Sequence, residues 1–276
     1  MSSRSEAPCA LTPHGLERHA RDVAVETPVA IEVDGFGYAV MMMTPTQLAD
    51  FARGFMLTER LADTIDDIRA IEPFETDRGW IVRVALAPRC RARITDRVRH
   101  RTSDTGCGLC GISGLEQIDR PVAALAPQPR IQRTALFAAI AAIRDHQPLN
   151  RLTGAVHAAA LCDRTGAIVM VREDVGRHNA LDKLIGALAV DGRGVDGFIL
   201  LTSRVSFEMV DKALVAGAPM VVGISAPTTM AIDHARAHRL TLVALARADA
   251  MLVFNDPWKC LGVVAEEGLE PPTPGL

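Results

Sequence analysis

The second half of the sequence alternates short apolar segments with longer segments of helical periodicity, and this pattern constrains the fold most. The predicted strands are residues 156–161, 167–172, 197–201, 220–224, 240–246 and 251–254. The predicted helices are residues 179–189, 207–216 and 229–238. Strands that alternate with helices along a chain favour a mainly parallel sheet with helices on its faces. The second half is therefore expected to be an α/β domain.

The first half has a different pattern, typical of a smaller α+β part. Asp34-Gly35 separates two apolar-alternating segments and predicts a β-hairpin. Residues 44–60 carry a capped helical pattern, residues 67–74 and 80–87 are β-rich, and residues 134–146 are helical again. We expect a flexible tail at 1–20, an N-terminal α+β part at 21–130 that ends in a CxxC loop, an α/β domain at 131–265, and a flexible tail at 266–276.

Composition and charge exclude several classes of function. The chain has 30 basic and 33 acidic residues, and its aromatic content is 4%, so nucleic acid is not an expected partner. The sequence has no apolar run long enough for a membrane span, and it has no signal-peptide pattern. We therefore expect a cytoplasmic protein without a membrane partner. Six cysteines are too few for a disulfide scaffold, and they are expected to be thiols.

The sequence TGCGLCG (105–111) places Cys107 and Cys110 in a CxxC pair among three glycines. Glycines leave the thiols uncovered and the backbone free. A structural zinc site would need two further ligands at a suitable spacing, and a thioredoxin-like site would need residues that fit a helix start. A persulfide carrier needs an accessible nucleophilic thiol with a second thiol nearby, which suits the pattern. Two exposed cysteines without a role remain a fourth interpretation.

Polar segments follow three of the predicted strands, where open α/β sheets bind ligands. Helix starts at these positions favour phosphate groups. The candidate binding residues are Arg177, His178, Ser203, Arg204, Ser225 and Thr228. Ordinary helix capping also explains the hydroxyl residues, and Asp182 with Lys183 could belong to a solvated helix face. His157 interrupts an apolar strand and is more typical of a hydrogen-bonded core histidine than of a catalyst, and the deaminase zinc signature is not found around it.

Five segments together resemble one family. They are TGCGLCG (105–111), TGAVHAAAL (153–161), REDVGRHNALDKLIG (172–186), TSRVSFEMVDKA (202–213) and GISAPTTMAI (223–232). In this order they are similar to the formate dehydrogenase accessory sulfurtransferase family, FdhD, over about residues 23–254. The resemblance implies an α/β fold similar to cytidine deaminase, a three-layer sandwich with a smaller N-terminal α+β part and no zinc site.

The resemblance also implies a function. A sulfurtransferase of this kind takes persulfide sulfur from a cysteine desulfurase and passes it to the molybdenum cofactor, which formate dehydrogenase activity requires. Cys107 would carry the persulfide and Cys110 would be its partner, and the protein would be a homodimer. Bis-molybdopterin guanine dinucleotide would be bound as substrate. Its family contact segment corresponds to Leu245, Ala246, Arg247, Ala248, Asp249 and Ala250, although the family usually has an aromatic residue where Leu245 stands.

Two alternatives stay open. A molybdenum cofactor-binding chaperone would deliver the cofactor without transferring sulfur, and its CxxC would serve for docking or redox sensing. A nucleotide-binding regulatory protein would bind free guanine nucleotides and would not interact with a desulfurase.

Overall fold

The computed structural model describes residues 1–94, 124–126 and 130–262. None of the helices in these ranges combines the length and the apolar character needed to cross a lipid bilayer. The predicted tail at 266–276 lies outside the described residues, and the predicted domain boundary near residue 130 stays a prediction.

The first 24 residues form four short strands. They are β1 (Ser3–Glu6), β2 (Cys9–Thr12), β3 (Gly15–Arg18) and β4 (Arg21–Ala24). β1 pairs with β4 and β2 with β3, both antiparallel. The sequence predicts a loose tail at 1–20, and strands are found instead. Most of their side chains are exposed, so backbone hydrogen bonds between the strands hold them together. The sequence of such strands carries little hydrophobic pattern.

A four-stranded sheet and one helix follow. The strands are β5 (Thr27–Val33), β6 (Phe36–Met43), β7 (Ile68–Thr76) and β8 (Gly79–Leu86), in the order β6-β5-β8-β7. The predicted hairpin is confirmed, because Asp34 and Gly35 both have positive φ (47° and 84°), as its two-residue turn requires. Helix α1 (Leu48–Thr58) buries Phe51 and Phe55 against this sheet, and short 3₁₀ helices span Ile65–Asp67 and Pro88–Cys90.

The second half forms a six-stranded sheet. Its strands are β9 (His157–Cys162), β10 (Ile168–Asp174), β11 (Phe198–Leu201), β12 (Met220–Gly223), β13 (Thr241–Ala244) and β14 (Leu252–Asn255), in the order β10-β9-β11-β12-β13-β14. Only β11-β12 and β12-β13 are parallel pairs, so the prediction of a mainly parallel sheet is wrong. The Asp163 carboxylate accepts backbone N–H bonds from Thr165 and Ala167, and this tight turn makes β9 and β10 an antiparallel hairpin.

Helices cover both faces of this sheet. They are α2 (Arg133–Ala142), α3 (Pro148–Thr153), α4 (Arg177–Val190), α5 (Phe207–Val215) and α6 (Thr229–Ala237), with a 3₁₀ helix at Ile143–His146. One core contains side chains from α4, α5 and α6 together with Ile199 and Leu201. The other contains side chains from α2 together with Phe198 and Leu200. Alternate residues of one strand thus pack into opposite cores, as the α/β prediction requires.

The two halves of the chain meet where α1 crosses α4. A Cβ atom on Gly54 would lie 1.8 Å from the carbonyl oxygen of Asp182, and one on Gly186 would lie 1.9 Å from the carbonyl oxygen of Asp50. Each helix therefore has glycine where the backbone of the other approaches most closely. Arg172 adds an ion pair across the same boundary, with Nη2 2.9 Å from Oδ2 of Asp50.

Candidate functional site

The loops that follow β11, β12 and β13 lie side by side at one edge of the six-stranded sheet. Because these strands are parallel, their carboxyl ends share that edge. The Val205 N–H donates to the Ala226 carbonyl (3.1 Å), and the Leu245 N–H donates to the Ser225 carbonyl (3.2 Å). We call residues 202–206, 224–228 and 245–250 the carboxyl edge. The structure brings together here three of the segments singled out in the sequence.

The hydroxyl residues of the carboxyl edge differ in their availability to a ligand. Ser203 is 3% exposed and its Oγ donates to the Arg204 carbonyl (3.1 Å). Thr228 accepts the Ala231 N–H (3.3 Å) and caps α6, as the helix-capping interpretation predicts. Ser225 is half-buried. Of these three, Ser203 points away from solvent, and the Thr228 hydroxyl already has a structural partner.

The segment after β13 is a compact turn. Leu245 has a φ of 52°, in the left-handed region, and the Arg247 N–H donates to the Ala250 carbonyl (2.8 Å). The Arg247 guanidinium donates to the carbonyls of Ile224 and Ala246. Ala246 is 1% exposed and packs in the core, so only its backbone is open to a ligand. Residues 247–250 are exposed.

His157 lies at the same edge of the sheet, paired with Asp174 of β10. Burial lowers its pKa below the ordinary value of 6.5, and the positive charges of Arg177 and Arg204 lower it further. The negative charge of Asp174 opposes this shift, so burial and the two arginines set the direction of the pKa change. Sequence reasoning left His157 out of the site, because a lone histidine in an apolar strand resembles a core residue.

A cleft of about 720 Å³ opens beside the starts of α4, α5 and α6. We call it the helix-side cleft. Within it, Nε2 of His178 lies 2.7 Å from Oε2 of Glu208, and this contact holds the pKa of Glu208 below its usual value. The buried Ser206 Oγ has no hydrogen-bond partner among the described residues. His178 and Thr228 both line this cleft.

A buried lysine lies in the wall of the helix-side cleft. Lys212 Nζ donates to both carboxylate oxygens of Asp182 (2.9 Å each) and to Thr58 Oγ1 (2.8 Å). Thr58 in turn donates to Asp182 (2.7 Å). All three ammonium protons have acceptors, so this cluster joins α1, α4 and α5 and fixes the shape of the cleft.

A second buried cluster stabilises the turn that precedes α4. The Asp174 carboxylate accepts the N–H groups of Gly176 (2.8 Å) and Thr44 (3.1 Å). Lys183 Nζ donates to the Thr44 carbonyl (3.0 Å). Asp182 and Lys183 are 1% and 0% exposed, so the solvated-face interpretation is wrong for both. The cluster positions Arg177 and His178, the first two residues of α4.

Cys107 and Cys110 lie outside the described residues. The described residues on either side of that segment are well anchored. Arg93 forms two bonds with the Asp63 carboxylate (2.8 and 2.7 Å) and one with the carbonyl of Arg60, a residue of the helix-side cleft. The Leu125 N–H donates to the His238 carbonyl at the end of α6 (3.1 Å).

The other cysteines are mostly buried. Cys90, Cys162 and Cys260 are at most 2% exposed, and burial raises the pKa of Cys162 to about 12 and that of Cys260 to about 11. Cys9 is exposed. Among the residues that the structure describes, no group of three or more His, Cys, Asp or Glu side chains could hold a metal ion.

Residues 24–261 match the model of the FdhD/NarQ family. Proteins named sulfur carrier protein FdhD are similar over most of their length. The chain is 43% identical over 236 residues to one from Bordetella bronchiseptica, covering 85% of this chain and 86% of that protein. It is 41% identical over 244 residues to one from Variovorax paradoxus (88% of each). It is 43% identical over 249 residues to one from Xanthomonas campestris (89% and 88%).

A solved structure has the same fold. It is a crystal structure of a protein from Desulfotalea psychrophila described as a formate dehydrogenase accessory protein. It superposes with a TM-score of 0.75 over 95% of this chain and 100% of that one, at 24% identity. The family match spans the CxxC segment, the carboxyl edge and the helix-side cleft. The chain therefore belongs to the FdhD/NarQ family.

Proposed function

We propose that this protein is a sulfur carrier, a sulfurtransferase that takes persulfide sulfur from a cysteine desulfurase and passes it to the molybdenum cofactor, as formate dehydrogenase activity requires. The observation that carries the proposal is the family match over residues 24–261, which includes Cys107 and Cys110. Relatives at 41–43% identity over most of the chain are named sulfur carrier proteins.

The proposed sulfur step uses Cys107 as the nucleophile. Its thiolate attacks the terminal sulfur of the desulfurase persulfide, a new S–S bond forms, and the desulfurase cysteine leaves as a thiolate. Cys107 then carries the persulfide, with Cys110 as the second thiol of the pair. Burial disfavours the thiolate at Cys90, Cys162 and Cys260, which leaves the CxxC pair and the exposed Cys9 as candidate carriers.

The proposed acceptor is bis-molybdopterin guanine dinucleotide, bound as substrate at the carboxyl edge. Arg177 and Arg204 supply positive charge close to His157, and the starts of α4, α5 and α6 add backbone N–H groups that favour phosphate. We expect ligand contacts from exposed residues of the 245–250 turn, from Ser225 and from His178. Ser203 and Thr228 contribute mainly by holding their loops, since their hydroxyls have partners within the protein.

The remaining parts of the proposal concern partners, location and fold. A cysteine desulfurase as donor, formate dehydrogenase as the enzyme served, a homodimer and a cytoplasmic location all stay predictions. So do a cytidine deaminase-like arrangement of the three layers and the lack of a zinc site. Helices on both faces of the six-stranded sheet support that layering.

Formate dehydrogenase activity in a bacterium that lacks its own carrier tests the proposal. We expect the native chain to restore activity and Cys107→Ala to abolish it, with Cys9→Ala as the matched control because Cys9 is exposed and outside the pair. Full activity with Cys107→Ala would exclude Cys107 as the persulfide carrier, and full activity with both Cys107 and Cys110 replaced by Ala would leave the chaperone alternative.

A further inference from the structure

His157 has no role in the proposed function, although it lies at the carboxyl edge. It is the first residue of β9, and its neighbours in the sheet lead into two loops of the candidate site. On one side it pairs with the last residue of β10, three residues before Arg177. On the other side the Thr202 N–H donates to the Ala158 carbonyl (3.1 Å), two residues before Arg204. The backbone therefore places His157 between the segments that carry the two arginines.

The imidazole of His157 lacks a partner within the described part of the chain. The residue is half-buried, and its ring forms no hydrogen bond or ion pair with any described residue. The guanidinium groups of Arg177 and Arg204 form none with these residues either. A neutral imidazole has one donor and one acceptor, and the protonated ring has two donors. Because polar groups away from solvent normally have partners, these three basic side chains are left to a ligand or to water.

The carboxylate nearest to His157 along the sheet is already occupied. The charged groups that act on His157 are Asp174, Arg177 and Arg204. The oxygens of Asp174 accept from four donors, which are the N–H groups of Gly176 and Thr44, the amide of Asn179 and the ammonium group of Lys183. A carboxylate has about four acceptor positions, and the charge of Lys183 offsets that of Asp174. The uncompensated charges around His157 are therefore those of the two arginines.

An anion at this edge would change the protonation of His157. In the free protein, burial and the charges of Arg177 and Arg204 hold the pKa of His157 below its ordinary value, so the ring is neutral at neutral pH. An anionic ligand beside the arginines offsets their charge and offers acceptor oxygens to the ring, and both effects favour the protonated imidazole. Because linkage is reciprocal, protonation of His157 strengthens the binding of the same ligand.

We propose that His157 is a third cationic group of the candidate site, which takes up a proton when a phosphate-bearing ligand binds beside Arg177 and Arg204. This inference rests on the proposed function, because the proposed cofactor substrate supplies the phosphate groups. It deepens that function by making the binding of the cofactor depend on pH. Binding is tighter at mildly acidic pH, and the dissociation constant falls by at most about tenfold per pH unit, the limit for one proton.

Isothermal titration calorimetry with diguanosine pyrophosphate tests the inference. The phosphates of this probe are diesters that keep their charge over the pH range of the experiment, so exchanged protons come from the protein. Titrations in buffers of different ionisation enthalpy give the number of protons taken up per bound ligand. At about pH 6.5 we expect roughly 0.3–1 proton for the native chain and less than about 0.1 for His157→Gln. Between about pH 7.5 and 5.5 the native affinity should rise at least about threefold, and that of His157→Gln should change less than about twofold.

Two other histidines serve as controls. His14 is exposed on the N-terminal hairpin, so His14→Gln should take up protons as the native chain does. His178 follows Arg177 and contacts Glu208, which makes it the alternative source of a proton-linked effect. His178→Gln should retain the proton uptake, whatever its affinity for the probe.

The outcomes separate this inference from the proposed function. Equal proton uptake in the native chain and His157→Gln, or loss of uptake only in His178→Gln, would overturn the role of His157. Binding without proton uptake in the native chain would also overturn it and would leave the proposed cofactor site intact. No binding of the probe at any pH would overturn the cofactor site and this inference together. Persulfide formation on Cys107 is measured separately, so the sulfur step stands or falls on its own.

Discussion

Lys183 and Asp174 form an ion pair with Nζ 2.6 Å from Oδ2, and both side chains are fully buried. Asp174 ends β10 and Lys183 lies in α4, so the pair spans the turn that leads to Arg177 and His178. Thr44 bonds to both partners through its backbone. The ion pair thus ties the first half of the chain to the candidate site.

We predict that Lys183→Met destabilises the protein by about 3–5 kcal/mol, because it leaves the Asp174 carboxylate buried without its cation. Urea unfolding followed by circular dichroism measures the change. The double variant with Asp174→Asn should recover part of the loss, since it no longer buries an unpaired charge. A loss of less than about 1 kcal/mol for Lys183→Met would contradict the described burial.

The contact between α1 and α4 predicts a strong effect of adding one methyl group. Gly54→Ala would place its Cβ 1.8 Å from the Asp182 carbonyl oxygen, so the helices must separate. We expect a destabilisation of at least about 3 kcal/mol in thermal or urea unfolding. Gly37→Ala is the control, because open space surrounds that position, and it should change stability by less than about 0.5 kcal/mol. If Gly54→Ala and Gly37→Ala changed the unfolding free energy equally, the backbones of α1 and α4 would not approach each other as closely as described.

His157 predicts a specific dependence of stability on pH. Its pKa in the folded protein is lower than the ordinary 6.5, so the unfolded chain takes up the proton first as the pH falls. The stabilisation from neutral His157 is therefore complete above about pH 6.5 and is lost below it, with a slope of at most about 1.4 kcal/mol per pH unit.

The His157→Gln variant isolates this contribution. The difference in unfolding free energy between the native chain and the variant should rise with pH between about 5 and 7 and then level off. A difference that stays constant over this range would show that the pKa of His157 is not lowered in the folded protein.

Much of the fold was predictable from local pattern. The six strands of the second half lie within about two residues of their predicted positions, because each is a short apolar segment bounded by polar residues. Strand direction was not predictable in the same way, since the Asp163 turn reverses the chain between β9 and β10. The exposed N-terminal strands carry little apolar signal, so the sequence predicts a tail there.

The candidate site was predictable in outline only. Parallel strands bring their carboxyl ends to one edge, so the meeting of the 202–206 and 224–228 loops follows from the α/β pattern. The buried clusters do not follow from it. Lys183 and Lys212 have the local sequence of surface helix residues, and only tertiary packing places them against Asp174 and Asp182. Because these carboxylate partners are distant in sequence, the residues around the two lysines give no sign that the lysines are buried.

Intact-protein mass spectrometry after incubation with cysteine and a cysteine desulfurase tests the central claim most directly. The native chain, Cys107→Ala, Cys110→Ala and Cys9→Ala are compared with and without reductant. We predict a gain of one sulfur mass that reductant removes, present in the native chain and in Cys9→Ala and lost in Cys107→Ala. Equal sulfur gain in Cys107→Ala would contradict Cys107 as the carrier residue, and no gain in the native chain with an active desulfurase would contradict the sulfur-carrier function.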